Sequence, residues 1–284
     1  MERDRMRRSG IKEYLSEIDI RKVMELDTAL IEVFGQKEGE RHIKRLMELF
    51  EQSEKQLLYG AGDTVYLHRQ EQMVDYLNQS LQMSLLAASF YDRVFFGRVM
   101  EYLVRFESFF VGDILDIGCG NGVLTCFLAM RYPDSFVTGL DFSANAIYVA
   151  KELAEKLQIE NVDFADPGVW GRRKCGTLFS CRTAHENVAW RPLLEESKAP
   201  LLTADEQEKR HRQYAEELSA LVKPKGYLIS VERYRADDAY AGLIRALGSV
   251  GFDQVKGTHM EFSCKNGDEP AVFQAVIFRK TEMI

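Results

Sequence analysis

The stretch Gly112-Asp113-Ile114-Leu115-Asp116-Ile117-Gly118-Cys119-Gly120-Asn121-Gly122-Val123-Leu124-Thr125 decides how the rest of the chain is read. A Gly-Asp turn pair precedes the apolar run Ile114-Leu115 and then Asp116. Three glycines follow at alternate positions, and Val123 to Met130 has helical spacing. The pattern reads as a buried strand, a tight loop and a helix N-terminus, the arrangement that receives a nucleotide-like ligand. Glycine is needed where φ turns positive or where backbone must approach a ligand with no side chain between them.

Downstream of this loop, strands and helices alternate. Val123, Leu124, Phe127, Leu128 and Met130 form a helix face stopped by Pro133, and Ser135 to Leu140 is a strand ending in Asp141. Ser143 is placed to cap the helix carrying Ile147, Ala150, Leu153 and Leu157. Asn161 to Ala165 is a third strand ending in Asp166-Pro167, and Thr177 to Ser180 a fourth, followed by Cys181 to Asn187. Thr203 to Glu206 is a capping box. Lys223-Pro224-Lys225-Gly226 turns into a fifth strand, Tyr227 to Val231. The end reads as a strand pair, Gln254 to Phe262 and Ala271 to Arg279, joined through Asn266-Gly267, a hairpin signal. Such alternation demands a parallel sheet covered on both faces, with ligands at the carboxyl ends of the strands.

Upstream, from Ile11 to about Leu103, the periodicity is helical. Expected are helices through Ile11–Ile18, through Val23–Phe34, from about Glu38 to Leu57, one opened by Asp63, and a last one from about Leu85 to Arg105. The last carries Phe90, Tyr91, Phe95, Phe96 and Tyr102; the stripe reads as core packing, with Tyr91 the residue placed to close over a ligand. The chain therefore divides into a helical extension, 1–105, acting as a cap or in homodimerisation, and an α/β domain, 106–284.

Composition narrows the function classes. Of 284 residues, 46% are hydrophobic and 29% charged, as in a globular protein with a real core. Net charge is −7 with no basic cluster interleaved with aromatics, which argues against nucleic acid as partner. No apolar run approaches the roughly 18 residues of a bilayer span, and no apolar segment follows the basic N-terminus, so neither membrane nor secretion is expected. The five scattered cysteines contain no CxxC pair, which fits reduced thiols in a cytoplasmic protein and no metal site.

The loop's spacing and acids choose among ligands. A tight turn alone leaves the downstream acid without a role. A dinucleotide loop has the spacing G-x-G-x-x-G; here it is G-x-G-x-G, and Asp116 would face a pyrophosphate with like charge. S-adenosylmethionine, cationic and free of phosphate, turns Asp116 into a partner for its amino group, and Asp141 at the next strand end is placed to accept both ribose hydroxyls.

Ile114 to Gly122 resembles the first motif of the class I S-adenosylmethionine-dependent methyltransferases, and Val137-Thr138-Gly139-Leu140-Asp141-Phe142-Ser143 resembles the second. Asp163-Phe164-Ala165-Asp166 is similar to the family's third-strand segment, and Leu221 to Leu228 to its turn before the fifth strand, with Lys225 where a second glycine is usual. The resemblance covers about residues 85–280. It implies a Rossmann-like, doubly wound seven-stranded sheet with its last strand antiparallel, attached to the N-terminal all-helical extension. It further implies that Asp116, Gly118 and Gly120, with Cys119, Asn121 and Gly122 of the same loop, surround the methionine part of the cofactor. Asp141 would hold the ribose, Phe142 would flank the adenine beside Ser143, and Asp166 would take the adenine amino group.

The stretch after the fourth strand, Arg182 to Asn187, would then face the methyl group. His185 and Glu186 are its candidates for a general base. The extra segment from Asn187 to Leu202 has the length of a lid and, with the N-terminal helices, favours a small-molecule substrate. The expected activity is in-line methyl transfer from S-adenosylmethionine, leaving S-adenosylhomocysteine. The alternatives are a cofactor-binding module or partner subunit without turnover, and transfer of another group such as aminopropyl.

Overall fold

The computed structural model describes residues 2–20, 23, 25–59, 72–90, 92–171, 173–184, 204–233, 237–266 and 269–282. Its centre is a sheet of eight strands: β1 (Ile114–Ile117), β2 (Val137–Leu140), β3 (Val162–Ala165), β4 (Cys175–Cys181), β5 (Val222–Glu232), β6 (Phe252–Gln254), β7 (Met260–Asn266) and β8 (Glu269–Lys280). They lie in the order β3-β2-β1-β4-β5-β8-β6, with β7 also paired to β8. β1 to β5 run parallel, and β8 joins antiparallel, Tyr227 opposite Arg279 and Glu232 opposite Gln274. Helices cover both faces, so adjacent residues of a strand enter different cores: Ile114 packs with Val123, Phe127 and Val149, whereas Leu115 packs with Leu178, Tyr214 and Leu247.

The last strands differ from the sequence expectation. The run expected as one strand, Gln254 to Phe262, is split into β6 and β7, which lie end to end along β8. Gly257 takes φ +79 between them, and Thr258 fills the gap: its Oγ1 donates to the Val255 carbonyl at 2.8 Å and accepts from Ile277 N at 3.2 Å. The sixth position is thus shared by two short strands, and the hairpin and antiparallel last strand stand. β5 begins earlier than expected, at Val222, and Lys225 adopts φ +65 in its first half, the left-handed conformation that a glycine would take without strain.

Upstream of the sheet lie α1 (Glu2–Glu17), α2 (Leu26–Phe34), α3 (Gln36–Tyr59), a short α4 over residues 72–77, α5 (Leu81–Phe90) and α6 (Asp92–Arg105). The single helix expected from Leu85 to Arg105 is two helices, α5 and α6. α5 starts four residues earlier, at Leu81, where Ser80 Oγ accepts from Met83 N at 3.2 Å and caps the helix. The helix start assigned to Asp63 and the capping box at Thr203 lie outside the described residues. α1 and α6 pack directly on the sheet core, with Ile11, Tyr14, Leu15, Val99 and Met100 buried among Phe127 and Ile229. α2, α3 and α5 share a smaller cluster around Leu30, Leu46, Met83 and Leu86.

Within the sheet domain, α7 (Val123–Arg131), α8 (Ala144–Lys156) and α9 (Pro167–Trp170) follow β1 to β3, while α10 (Ala204–Leu221) and α11 (Asp237–Ser249) flank β5. Among the described residues no helix is long and apolar enough to cross a membrane. None of them are gathered as a set of three or more His, Cys, Asp or Glu that could hold a metal ion.

Candidate cofactor-binding site

The glycine loop leaves β1 and enters α7 at the carboxyl edge of the sheet, where a ligand site of an open α/β sheet is expected. It is tied down by Cys119 N donating to the Leu140 carbonyl at 3.0 Å and Gly122 N to the Cys119 carbonyl at 3.0 Å. The glycines serve different ends. A Cβ on Gly118 would come within 2.1 Å of Thr183 Cγ2, so this glycine is a close approach inside the protein. A Cβ on Gly120, at φ +53, would meet nothing within 4 Å, so its bare backbone faces open space. Gly122, left-handed at φ +76, is the residue from which α7 begins.

Asp141 organises this loop. Its Oδ2 accepts from Gly120 N at 2.8 Å and its Oδ1 from Ser143 N at 2.9 Å. Each carboxylate oxygen has about two acceptor sites, so with the Phe142 N–H also drawn to this carboxylate some acceptor capacity remains for a ligand hydroxyl. Burial raises the Asp141 pKa, and the nearby Asp75 adds to the rise while the Ser143 and Gly120 N–H groups oppose it. Asp116 is 2% exposed and accepts from Thr125 Oγ1 at 2.6 Å through Oδ2. Desolvation pushes its pKa up to about 7, against the pull of the Thr125 hydroxyl.

Phe142, directly after Asp141, is 83% exposed, an apolar ring held at the rim with its face free to stack. Asp166 sits at the end of β3, where its Oδ1 caps α9 by accepting from Gly168 N at 2.7 Å. Ser143 caps α8, its Oγ accepting from Ala146 N at 3.1 Å and donating to Asp75 Oδ1 at 2.8 Å. The Cys119 thiol is buried, and a Cβ on Gly139 would lie 2.9 Å from its sulfur, so that side chain faces the sheet. Asn121 turns outward from the loop, its Nδ2 donating to the Ser84 carbonyl at 3.4 Å.

These residues fit an adenosine-bearing cation: bare backbone at Gly120, spare acceptors on Asp141, an exposed ring at Phe142 and a buried carboxyl at Asp116. Asp116, Gly118, Gly120, Asn121, Gly122, Asp141, Phe142, Ser143 and Asp166 are brought to one edge by the ends of β1, β2 and β3. Tyr91, His185 and Glu186 lie outside the described residues, as does the segment from Asn187 to Leu202.

A group that the sequence reasoning missed stands at the ends of β4 and β5. Glu232, 0% exposed, accepts from Ser180 Oγ at 2.7 Å and from Ala184 N at 3.0 Å. Tyr214 of α10 reaches the same cluster, its hydroxyl 2.8 Å from Thr183 Oγ1 and 3.2 Å from Ser180 Oγ. The one signal in the sequence is an acid closing the apolar run of β5.

The residues at the heart of this edge have known relatives. Residues 112–166 match a family model described as a methyltransferase domain. Residues 112–166 are thus similar to a methyltransferase domain, the kind of domain that the motifs of this edge resemble. The release factor glutamine methyltransferase of Vibrio cholerae is 25% identical to this chain over 158 residues, covering 56% of it and 49% of that protein. The (S)-tetrahydroprotoberberine N-methyltransferase of Eschscholzia californica is 50% identical over 56 residues, 19% of this chain and 16% of the relative. The chain thus spans half or less of the length of these curated relatives. Among solved structures, magnesium protoporphyrin IX methyltransferase from Synechocystis PCC 6803 with bound S-adenosylmethionine aligns over 92% of this chain and all of that one, at 17% identity and a TM-score of 0.46.

Proposed function

We propose that the chain is a cytoplasmic S-adenosylmethionine-dependent methyltransferase acting on a small molecule. The observation that carries the small-molecule reading is the seating of the N-terminal helices on both cofactor motifs. Asp75 of α4 takes the Ser143 hydroxyl at its side chain and the Asn145 amide at its carbonyl, 3.1 Å away. Ser84 of α5 takes the Asn121 amide, and Tyr14 of α1 donates to the Val123 carbonyl at 2.6 Å. Helices seated against this edge suit an enclosed acceptor better than a broad macromolecular surface. The helices 1–105 act in this reading as a cap rather than as a dimer contact.

When bound, the cofactor supplies an activated methyl group on a sulfonium whose departure leaves a neutral thioether. The chain's own part is then chiefly alignment and exclusion of water, and well-aligned groups lower a barrier by up to about 7–11 kcal/mol. Asp141 and the Gly120 backbone hold the nucleoside end, Asp116 pairs with the ammonium, and Phe142 stacks. His185 and Glu186 remain the candidates for a base on the acceptor side.

A second reading, a protein acceptor, is favoured by the match to a release factor glutamine methyltransferase over 56% of this chain. The test incubates the protein with methyl-labelled S-adenosylmethionine and a cell extract separated into metabolite, protein and RNA fractions. Label appearing in the metabolite fraction is the expected result; label in protein or RNA overturns the small-molecule class. Tight S-adenosylhomocysteine binding with no transfer in any fraction favours a binding module without turnover.

A further inference from the structure

The buried cluster at the ends of β4 and β5 reaches across to the glycine loop. Ser180 is 1% exposed, Thr183 7%, Tyr214 6% and Glu232 0%, four polar side chains drawn from β4, the turn after it, α10 and β5. A carboxylate at such depth is tolerated when its lone pairs are met, and Ser180 Oγ and Ala184 N meet one oxygen each. With Ser180's proton committed to Glu232, the Ser180 oxygen accepts from Thr183 or from Tyr214, both within hydrogen-bond reach. The order of the protons therefore runs inward to Glu232.

This network fixes which way Thr183 faces. A β-branched side chain has few χ1 positions, and anchoring Oγ1 among Ser180 and Tyr214 leaves Cγ2 one direction to take. That direction is the glycine loop: Cγ2 stands where a Cβ on Gly118 would come within 2.1 Å, while the Thr183 Cβ itself is at an ordinary 3.5 Å. Gly118 is two residues before Gly120, whose N–H is held by Asp141. A displacement at Thr183 is therefore passed through two peptide units to the nucleoside end of the site.

We propose that Thr183, oriented by the Glu232–Ser180–Tyr214 cluster, is a positioning residue for the cofactor loop, its methyl group setting how closely Gly118 approaches the strand ends. The acceptor-side strands and the donor-side loop are by this contact one mechanical unit. Ala184, the residue after Thr183, is pinned by the same carboxylate, so the chain leaves for the acceptor side from a fixed point. The inference rests on the reading of Gly118 to Gly122 as the cofactor loop, and its test separates the two.

The experiment measures S-adenosylhomocysteine affinity by calorimetry, with melting temperatures alongside, for the wild type, Gly118→Ala, Thr183→Ser and the double variant. Serine keeps the hydroxyl in the cluster and deletes only Cγ2. Gly118→Ala is expected to weaken binding by at least about tenfold, and the double variant to regain about threefold or more of that loss, the remainder being the strain of an alanine at φ +65. A double variant as weak as Gly118→Ala, with the wild type binding, overturns the positioning role and leaves the cofactor reading intact. A wild type that does not bind overturns both. Should Gly118→Ala fail to fold, Tyr214→Phe serves: it removes one hydroxyl without changing shape and is expected to weaken binding about three- to tenfold, alongside a fall of a few degrees in melting temperature from the lost buried hydrogen bond. Unchanged affinity there overturns the role of the cluster.

Discussion

At the ends of β1, β2 and β3 the polar groups retain capacity for a partner. Asp141 retains acceptor capacity, Phe142 is 83% exposed, and the Gly120 backbone faces open space. At the ends of β4 and β5 the reverse holds: Glu232 is fully buried and both of its oxygens are met from within the protein. In the proposed reading one half of the edge is left for a ligand to complete, while the other is completed by the fold itself. Variants on the donor half are thus expected to change affinity more than stability.

The largest effect is expected at Asp141. Asp141→Ala removes the ribose acceptors together with the anchor of Gly120 N, and S-adenosylhomocysteine binding should weaken by about 2–4 kcal/mol, roughly 30- to 1000-fold. A folded variant of unchanged affinity would break the comparison at its centre.

The next concerns pH. The Asp116 carboxyl, pushed up to about 7 chiefly by burial, holds a proton in the folded protein at pH values where the unfolded chain has lost it. The stability this group contributes to the ligand-free protein is therefore fully present below about pH 4 and is lost as pH rises through about 7. Pairing with the cofactor ammonium favours the charged form, so affinity should rise from pH 6 to 8, by about tenfold, with proton release visible as a buffer-dependent binding enthalpy. Asp116→Asn should flatten that dependence; a slope that survives the substitution assigns it to another group.

Smaller effects sharpen the division. Ser143→Ala deletes the α8 cap and the bond to Asp75. A loss of about 1 kcal/mol, or about 2–4 °C in melting temperature, is expected, with weaker seating of α4. Phe142→Ala should cost about 0.5–1.5 kcal/mol of cofactor affinity through lost stacking while leaving the melting temperature unchanged. A marked drop in melting temperature would show that the ring packs against the protein instead.

Legibility followed the same line. The donor half is built from signals local in sequence: a strand that carries Asp116, three glycines, and an acid directly after each of the next two strands, Asp141 after β2 and Asp166 after β3. Two of the boundaries that were misjudged lie beside a hydroxyl that bonds the backbone, Ser80 at the start of α5 and Thr258 between β6 and β7, a choice that hydrophobic spacing does not encode. Lys225 in a left-handed conformation, where a glycine is usual, is similarly a backbone fact that no periodicity reveals.

The sequence by itself determined the alternating α/β core and the antiparallel last strand and supplied the motifs of the proposed donor site, because these rest on residues a few positions apart and on the two-residue and 3.6-residue periods of strand and helix. Only the tertiary structure decided that Ser180, Thr183, Tyr214 and Glu232 form one cluster and that Thr183 stands against Gly118. Those partners lie up to 65 positions apart, and a buried polar group declares its role only when the groups that satisfy it have been folded around it.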